Sequence, residues 1–298
     1  MRKWREGTNL MYRIYADESG TQDPKWLIIG MLFVPNHGSL HSELCKAKDD
    51  IGYFNTSPKK SAKYKEVHLT EFRSPRDIAI GKRWIDIFIN HNCYYRSIVV
   101  DWSIWNGKHF GDPFEPDALK RRRAYKKWAE MLLRPELNGC EGGPQIRNAR
   151  FFLDRLRIMY GYDVIAHLRA RFTENYEGQN PYISEFQHTD SWKDANQCLQ
   201  LCDLLTGCLY QQLNPSRKEA KIAVRDYLAQ SLLPHGVKRM DPGFWKQFHQ
   251  STINQHLEKY SAWFWKPKTA SQLKKKPPPQ KRVSLEDLKR RSGRNGKR

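Results

Sequence analysis

Residues 11–20 have the sequence MYRIYADESG, an alternating apolar run that ends in two acids and a Ser-Gly pair. Because every second side chain of a strand lies on the same face, the run predicts a β-strand. A second apolar run, LIIGMLFV at residues 27–34, follows after a short polar segment with turn residues. The two runs predict a hairpin with Asp17 and Glu18 near its tip.

Two further acids end or interrupt apolar segments far downstream. Asp154 follows FFL, and Asp203 lies inside LQLCDLL. Charged side chains rarely occupy such segments without a partner. Hard Mg²⁺ prefers oxygen ligands, and two divalent ions stabilise the attacking and leaving oxygens of phosphodiester hydrolysis. The three acids therefore predict a metal site, with two alternatives: Asp17 capping backbone amides, and Asp203 pairing with an arginine such as Arg155.

The order of apolar patterns predicts an α/β fold. Besides the hairpin, we expect strands at residues 65–69, 94–101, 149–154 and 183–187, and helices at residues 40–50, 76–90, 118–133, 163–171 and 194–213. Residues 216–263 have a helical and irregular pattern. This order fits the mixed sheet of a ribonuclease-H-like fold, flanked by helices, in which acids from a first strand, a later strand and a late helix converge.

Three motifs carry a resemblance to a known family. YADESG at residues 15–20, FLDR at 152–155 and LQLCDLLTG at 199–207 resemble domain-of-unknown-function family 3800 in order and spacing. The resemblance covers residues 11–213. It implies a ribonuclease-H-like fold and metal-dependent cleavage of nucleic acid, in a mobile-element or phage-defence setting. It also implies Asp17, Asp154 and Asp203 as ligands of Mg²⁺ or Mn²⁺.

Other polar residues are candidates to complete the catalytic site. Glu18 alternates to the opposite face from Asp17, so it either supports the metal ligands indirectly or is brought to the metal by the turn. Glu66 and His68 would share one face of the predicted strand at 65–69. The helix at 76–90 has no clear inward-facing glutamate, so Glu66 or Glu71 would substitute for one. Two further acids, Asp101 and Asp190, are weaker candidates.

The charge of the chain points to a polyanionic partner. Lys and Arg number 52 against 32 Asp and Glu, which gives a net charge of +20. The predicted helix at 118–133 carries a basic cluster that either contacts phosphates or is a solvated face: Lys120, Arg121, Arg122, Arg123, Lys126 and Lys127. A second basic run, Lys274, Lys275 and Lys276, lies in a segment after residue 265 that we expect to be a disordered, phosphate-binding tail.

These observations give three expected parts: a ribonuclease-H-like domain at 1–213, a helical extension packed on it at 214–265, and the polybasic tail at 266–298. No apolar run is long enough to span a membrane, and no secretory signal is visible, which predicts a cytoplasmic protein. The expected function is a metal-dependent nuclease, with a protein partner in a defence or mobile-element system. The alternative is a non-catalytic nucleic-acid-binding subunit of a larger assembly, whose acids are structural caps and ion pairs.

Overall fold

A computed structural model describes residues 11–20, 23, 25–56, 62–105, 107, 110–112, 114–138, 146, 148–154, 161–172, 183–232 and 259–265. Six strands form one mixed sheet: β1 (Tyr12–Ser19), β2 (Trp26–Val34), β3 (Tyr94–Asp101), β4 (Ala149–Asp154), β5 (Ile183–Thr189) and β6 (Tyr260–Trp265). Their order across the sheet is β5-β4-β1-β2-β3-β6. β1 and β3 are antiparallel to β2, while the β1–β4, β4–β5 and β3–β6 pairs are parallel. The predicted α/β class, with a mixed sheet flanked by helices, is confirmed.

Six α-helices are described: α1 (His37–Ile51), α2 (Pro75–Asn90), α3 (Asp117–Asn138), α4 (Gly161–Phe172), α5 (Gln197–Leu213) and α6 (Glu219–Leu232). Buried residues of α1, α2, α5 and α6 form one apolar core with one face of the sheet, and α3 and α4 form a second core with the other face. Alternate side chains of β1 lie in different cores: Tyr15 is part of the first core, and Ile14 and Ala16 are part of the second. None of the described helices is long and apolar enough to cross a bilayer.

The segment at residues 65–69 differs from its prediction as a strand. Residues 65–68 have no strand pairing, and Leu69 begins a 3₁₀ turn. The Lys65 amide donates to the Tyr53 carbonyl at 3.1 Å, and side chains satisfy further backbone groups. The Lys48 ammonium donates to the Lys65 carbonyl at 2.7 Å, and the Val67 amide donates to the Gln200 carboxamide at 3.0 Å. The alternation of polar and apolar residues at 65–69 predicted a strand. That prediction is wrong, because hydrogen bonds to distant residues take the place of pairing with a neighbouring strand.

The region after residue 213 also differs from its prediction. Helix α6 agrees with the helical pattern, but Tyr260–Trp265 is an edge strand rather than part of a helical extension. Tyr260 and Ala262 are buried in the first core, whereas Trp265 is buried in the second, which is the period of two that a strand requires. The chain divides into two units after Trp265, and the predicted polybasic tail lies outside the described residues.

Gly30 determines how closely α5 approaches the sheet. It lies opposite Asp17 in the β1–β2 register, and a Cβ atom at this position would overlap the hydroxyl groups of Thr206 and Tyr95. Those two hydroxyls are hydrogen-bonded to each other at 2.8 Å, and Thr206 also donates to the Cys202 carbonyl. The missing side chain therefore allows α5 to lie directly over the strand pair.

We expect Gly30→Ala to lower the free energy of unfolding by about 1–3 kcal/mol, because the added methyl group displaces Thr206 and Tyr95 from a packed core. Chemical denaturation of the variant measures the loss. Gly38→Ala is the matched control, since a Cβ at Gly38 meets no atom and alanine favours the helix. Equal stability of the wild type and Gly30→Ala would contradict the proposed close approach.

Asp77 anchors the start of α2 and is the most heavily hydrogen-bonded acid of this core. It forms a capping box with Ser74 and accepts from the Arg73 amide, the Tyr53 hydroxyl and the Lys65 ammonium. Burial raises the pKa of Asp77, but these donors outweigh burial and hold the pKa well below its usual range. The ionised carboxylate is therefore the form that stabilises the fold.

We expect Asp77→Asn to reduce the free energy of unfolding at neutral pH by about 2 kcal/mol, since charge-assisted hydrogen bonds are lost. A folded-state pKa below the unfolded value gives stability that is present at neutral pH and lost as the carboxylate is protonated. The difference between wild type and variant should therefore narrow below about pH 4. Thermal unfolding across pH tests this, with exposed Asp50→Asn as a control; a difference independent of pH would contradict it.

Candidate active site

Asp17 and Asp203 meet between the sheet and α5. The parity of β1 turns Asp17 toward the core face covered by α5, and Asp203 projects from that helix, so both carboxyl groups are buried. Burial, the neighbouring charges of Asp203, Glu18 and Asp154, and a hydrogen bond with Asp203 raise the pKa of Asp17 well above its usual range. Asp17 therefore keeps its proton to a higher pH than an ordinary aspartate does.

Asp154 lies beside this pair on the neighbouring parallel strand. Tyr15 and Phe152 are register partners on β1 and β4, and their rings stack at 5.2 Å between centroids. Asp17 and Asp154 each follow two residues later, so they lie on the same face of the sheet. The Ser191 amide donates to the Asp154 carboxylate at 3.2 Å. Asp154 therefore lies on the same face as Asp17, on the neighbouring strand, and its charge contributes to the raised pKa of Asp17.

His68 is the direct partner of Asp203. Its Nδ1 atom lies 2.6 Å from the Asp203 carboxylate. Burial lowers the pKa of His68, but the hydrogen bond and charge of Asp203, together with Glu66 and Glu71, outweigh it and raise this pKa to about 9. His68 is therefore an imidazolium at neutral pH that fixes the orientation of Asp203.

Glu66 joins the site through Ser191. The Ser191 hydroxyl donates to the Glu66 carboxylate at 2.6 Å, while its amide contacts Asp154. The Gln200 carboxamide donates to the Ser191 carbonyl at 2.6 Å and accepts from the buried Lys48 ammonium at 2.8 Å. Ser191, Gln200 and Lys48 thus hold the segments that carry the candidate catalytic residues.

Sequence reasoning missed these three supporting residues. Gln200 alone carried a signal, because it lies within the LQLCDLLTG motif three positions before Asp203. Nothing in the local sequence distinguishes Ser191 from a turn residue, or Lys48 from a surface lysine of an amphipathic helix.

Glu18 lies on the other face of the sheet, as its parity predicts. It accepts a hydrogen bond of 2.8 Å from the Tyr125 hydroxyl of α3. Its second oxygen is buried without a hydrogen-bond partner in the part of the chain that the structure describes. Burial raises the pKa of Glu18, the Tyr125 bond lowers it and the charge of Asp154 raises it, to a value of about 8. Its contacts place it apart from the face shared by the three aspartates.

The other two acidic candidates have local partners. Asp101 ends β3 and accepts from the amide and hydroxyl of Ser103 at 2.8 and 2.6 Å, which is a capping role. Asp190 pairs with Lys193 at 3.0 Å.

Several positively charged side chains of the basic cluster on α3 are buried, paired with acids or packed on an aromatic ring, which the sequence did not indicate. Lys120 is buried, the Arg121 guanidinium lies 4.6 Å from the Trp102 ring centroid, and Arg122 is exposed. Arg123 pairs with Glu115, and Lys127 lies 3.5 Å from the buried Glu130. The helix therefore does not present a continuous set of free cations. Lys126 is partly buried, and the second basic run lies outside the described residues.

The donor set at Asp17 suits a hard divalent cation in its chemistry. Asp17 and Asp203 offer carboxylate oxygens, and no lysine or arginine among the described residues pairs with either. The nearby Lys65 pairs with Asp77, and Arg155, the predicted alternative partner of Asp203, lies outside the described residues. Across the described ranges, no group of three or more His, Cys, Asp or Glu side chains is already arranged to hold a metal. The fit therefore rests on the carboxyl groups of Asp17 and Asp203, with Asp154 as a further acid on the same face of the adjoining strand.

Comparison of the chain with protein-family models, with curated proteins and with solved structures finds no match. The site is therefore interpreted from its geometry and chemistry.

In the presence of EDTA, we expect the free energy of unfolding of Asp17→Asn to be about 0.5–2 kcal/mol higher than that of the wild type. The amide removes a buried group that Asp203 and Asp154 oppose electrostatically, and it can still donate a hydrogen bond to Asp203. Chemical denaturation at pH 8 measures the change, with the capping acid substitution Asp101→Asn as the control. A large loss of stability in Asp17→Asn would mean that this carboxylate is structural.

Proposed function

We propose that this protein is a divalent-metal-dependent nuclease with a ribonuclease-H-like fold, related to domain-of-unknown-function family 3800. The observation that carries the proposal is the contact between the buried carboxyl groups of Asp17 and Asp203, with Asp154 on the adjoining strand. Like charges held together in a buried position destabilise a fold, so such a cluster favours a functional role over a structural one. The net charge of +20 supports a nucleic-acid substrate.

Each residue has a role in this proposal. Asp17, Asp203 and Asp154 would hold Mg²⁺ or Mn²⁺, which supplies Lewis-acid stabilisation of a phosphoryl oxygen when bound. His68 would orient the Asp203 carboxylate through their 2.6 Å contact. Glu66, held by Ser191, would accept a proton from an incoming water.

The alternative, a non-catalytic nucleic-acid-binding subunit, is favoured by one specific observation. The 2.6 Å pair between His68 and Asp203 partly neutralises one of the acids without any metal. If that pair is purely structural, the acids stabilise the fold, and binding would depend on basic residues alone. The two functions differ in what a divalent cation does to the protein.

Cleavage of single- and double-stranded DNA and RNA, with Mg²⁺, Mn²⁺ or EDTA, tests the proposal. We expect metal-dependent cutting by the wild type, and a loss of at least about 100-fold in Asp17→Asn and Asp203→Asn, since removal of one preorganised charge typically costs this much. Asp101→Asn should cut as the wild type does.

Thermal unfolding supplies a readout that does not depend on activity. A bound cation stabilises only the state that binds it, so Mg²⁺ should raise the midpoint of the wild type and of Asp101→Asn, but not of Asp17→Asn. Binding of nucleic acid without cutting, together with identical Mg²⁺ responses in all three proteins, would favour the binding subunit.

A further inference from the structure

A cavity of about 180 Å³ opens beside Glu66. Its lining combines the rings of Tyr64 and Trp192 with five polar side chains: Asn55, Thr56, Lys65, Glu66 and Glu71. It adjoins the candidate site through Ser191, which contacts both Asp154 and Glu66 and immediately precedes Trp192. A ligand in this cavity would therefore lie next to the proposed reaction centre.

Trp192 presents a large apolar ring to solvent at the cavity. Trp192 is 36% exposed, although most large aromatic residues of the described chain are buried, and the Lys193 ammonium lies 5.8 Å from its ring centroid. Nearby, Phe54 is also exposed and stacks on Tyr64 with 6.1 Å between ring centroids. An exposed aromatic ring can stack on any nucleobase, because every base has a π-face.

The acidic groups of the cavity favour a ligand with N–H donors, because Lys65, the lysine in the lining, is paired with Asp77 at 2.8 Å. Glu71 is exposed and makes no side-chain hydrogen bond or ion pair to the described residues, and Glu66 uses one oxygen for Ser191. Carboxylates repel a phosphate but accept hydrogen bonds from exocyclic amino groups such as that of cytosine. The cavity therefore suits the base of a nucleotide rather than its phosphate.

We infer that this cavity receives one unpaired nucleobase of a single-stranded nucleic acid, with the ring stacked on Trp192 and an amino-bearing edge directed to Glu71. The inference rests on the nucleic-acid substrate of the proposed function, and it assigns single strands, or strands with an unpaired base, as the substrate class. A base inside a duplex cannot enter such a cavity without leaving its stack. A basic peptide is the competing ligand for aromatic rings and acids, but the net charge of +20 disfavours its approach.

Equilibrium binding in EDTA, where no metal-dependent cutting occurs, tests the inference. The probes are short fluorescent oligo(dC) and oligo(dT) strands, the corresponding RNA strands, a DNA duplex and an oligo-arginine peptide. The proteins are wild type, Trp192→Ala, Trp192→Phe and Glu71→Gln. Phe114→Ala is the matched control, because Phe114 is 96% exposed and does not line the cavity.

We expect Trp192→Ala to bind single strands about tenfold or more weakly, since stacking contributes strongly to such binding, while duplex binding is unchanged. Trp192→Phe should retain most of the affinity, which separates stacking from a loss of folding. Glu71→Gln should reduce the preference for oligo(dC) over oligo(dT). Phe114→Ala should match the wild type with every probe.

Three results would overturn the inference: no effect of Trp192→Ala, an equal loss of single-strand and duplex binding, or peptide binding that depends on Trp192 and Glu71. A parallel cleavage assay separates this inference from the proposed catalysis. Trp192-dependent single-strand binding without any cutting would support the base site and reject the nuclease. Metal-dependent cutting that is indifferent to Trp192 and to strandedness would reject the base site alone.

Discussion

The close packing of α5 on β1 and β2 is the constraint on which the rest of the structure depends. Gly30 leaves room for the hydroxyl pair of Thr206 and Tyr95, so the helix approaches the strands closely at this point. Because the helix is this close, Asp203 reaches Asp17. The apolar core around α5 makes that contact rigid, and the same core withdraws both acids from water.

Two buried aspartates on the same side of the sheet have opposite surroundings, which distinguishes a structural acid from a candidate functional one. Asp77 is surrounded by backbone, hydroxyl and ammonium donors, and its pKa is held low. Asp17 is surrounded by other carboxyl groups, and its pKa is raised. The first arrangement stabilises the folded state, whereas the second opposes folding and must be offset by the core. Strain of this kind, concentrated at one place in an otherwise consistent structure, is typical of a functional site.

The segment before α2 illustrates how a loop can be fixed without a sheet. Lys48 of α1 and Gln200 of α5 supply hydrogen bonds that a neighbouring strand would otherwise provide, and Gln200 also holds Ser191. Glu66 and His68 project from this segment, so their positions depend on two helices distant in sequence. The candidate site is thus assembled from β1, β4, α5 and one loop, and a change in the packing of α5 would move all of its parts.

The sequence by itself determined the hairpin, most of the helices and the three acids, because alternation and helical spacing are local and Asp17, Asp154 and Asp203 each interrupt an apolar pattern. Tertiary structure alone decided the rest. Residues 65–69 alternate like a strand but find no strand partner, and the strand Tyr260–Trp265 exists because β3 offers a free edge. Hydrogen bonds and ion pairs between segments far apart in the chain cannot be predicted from the local sequence. Their strength depends on distances between atoms that only the folded structure determines.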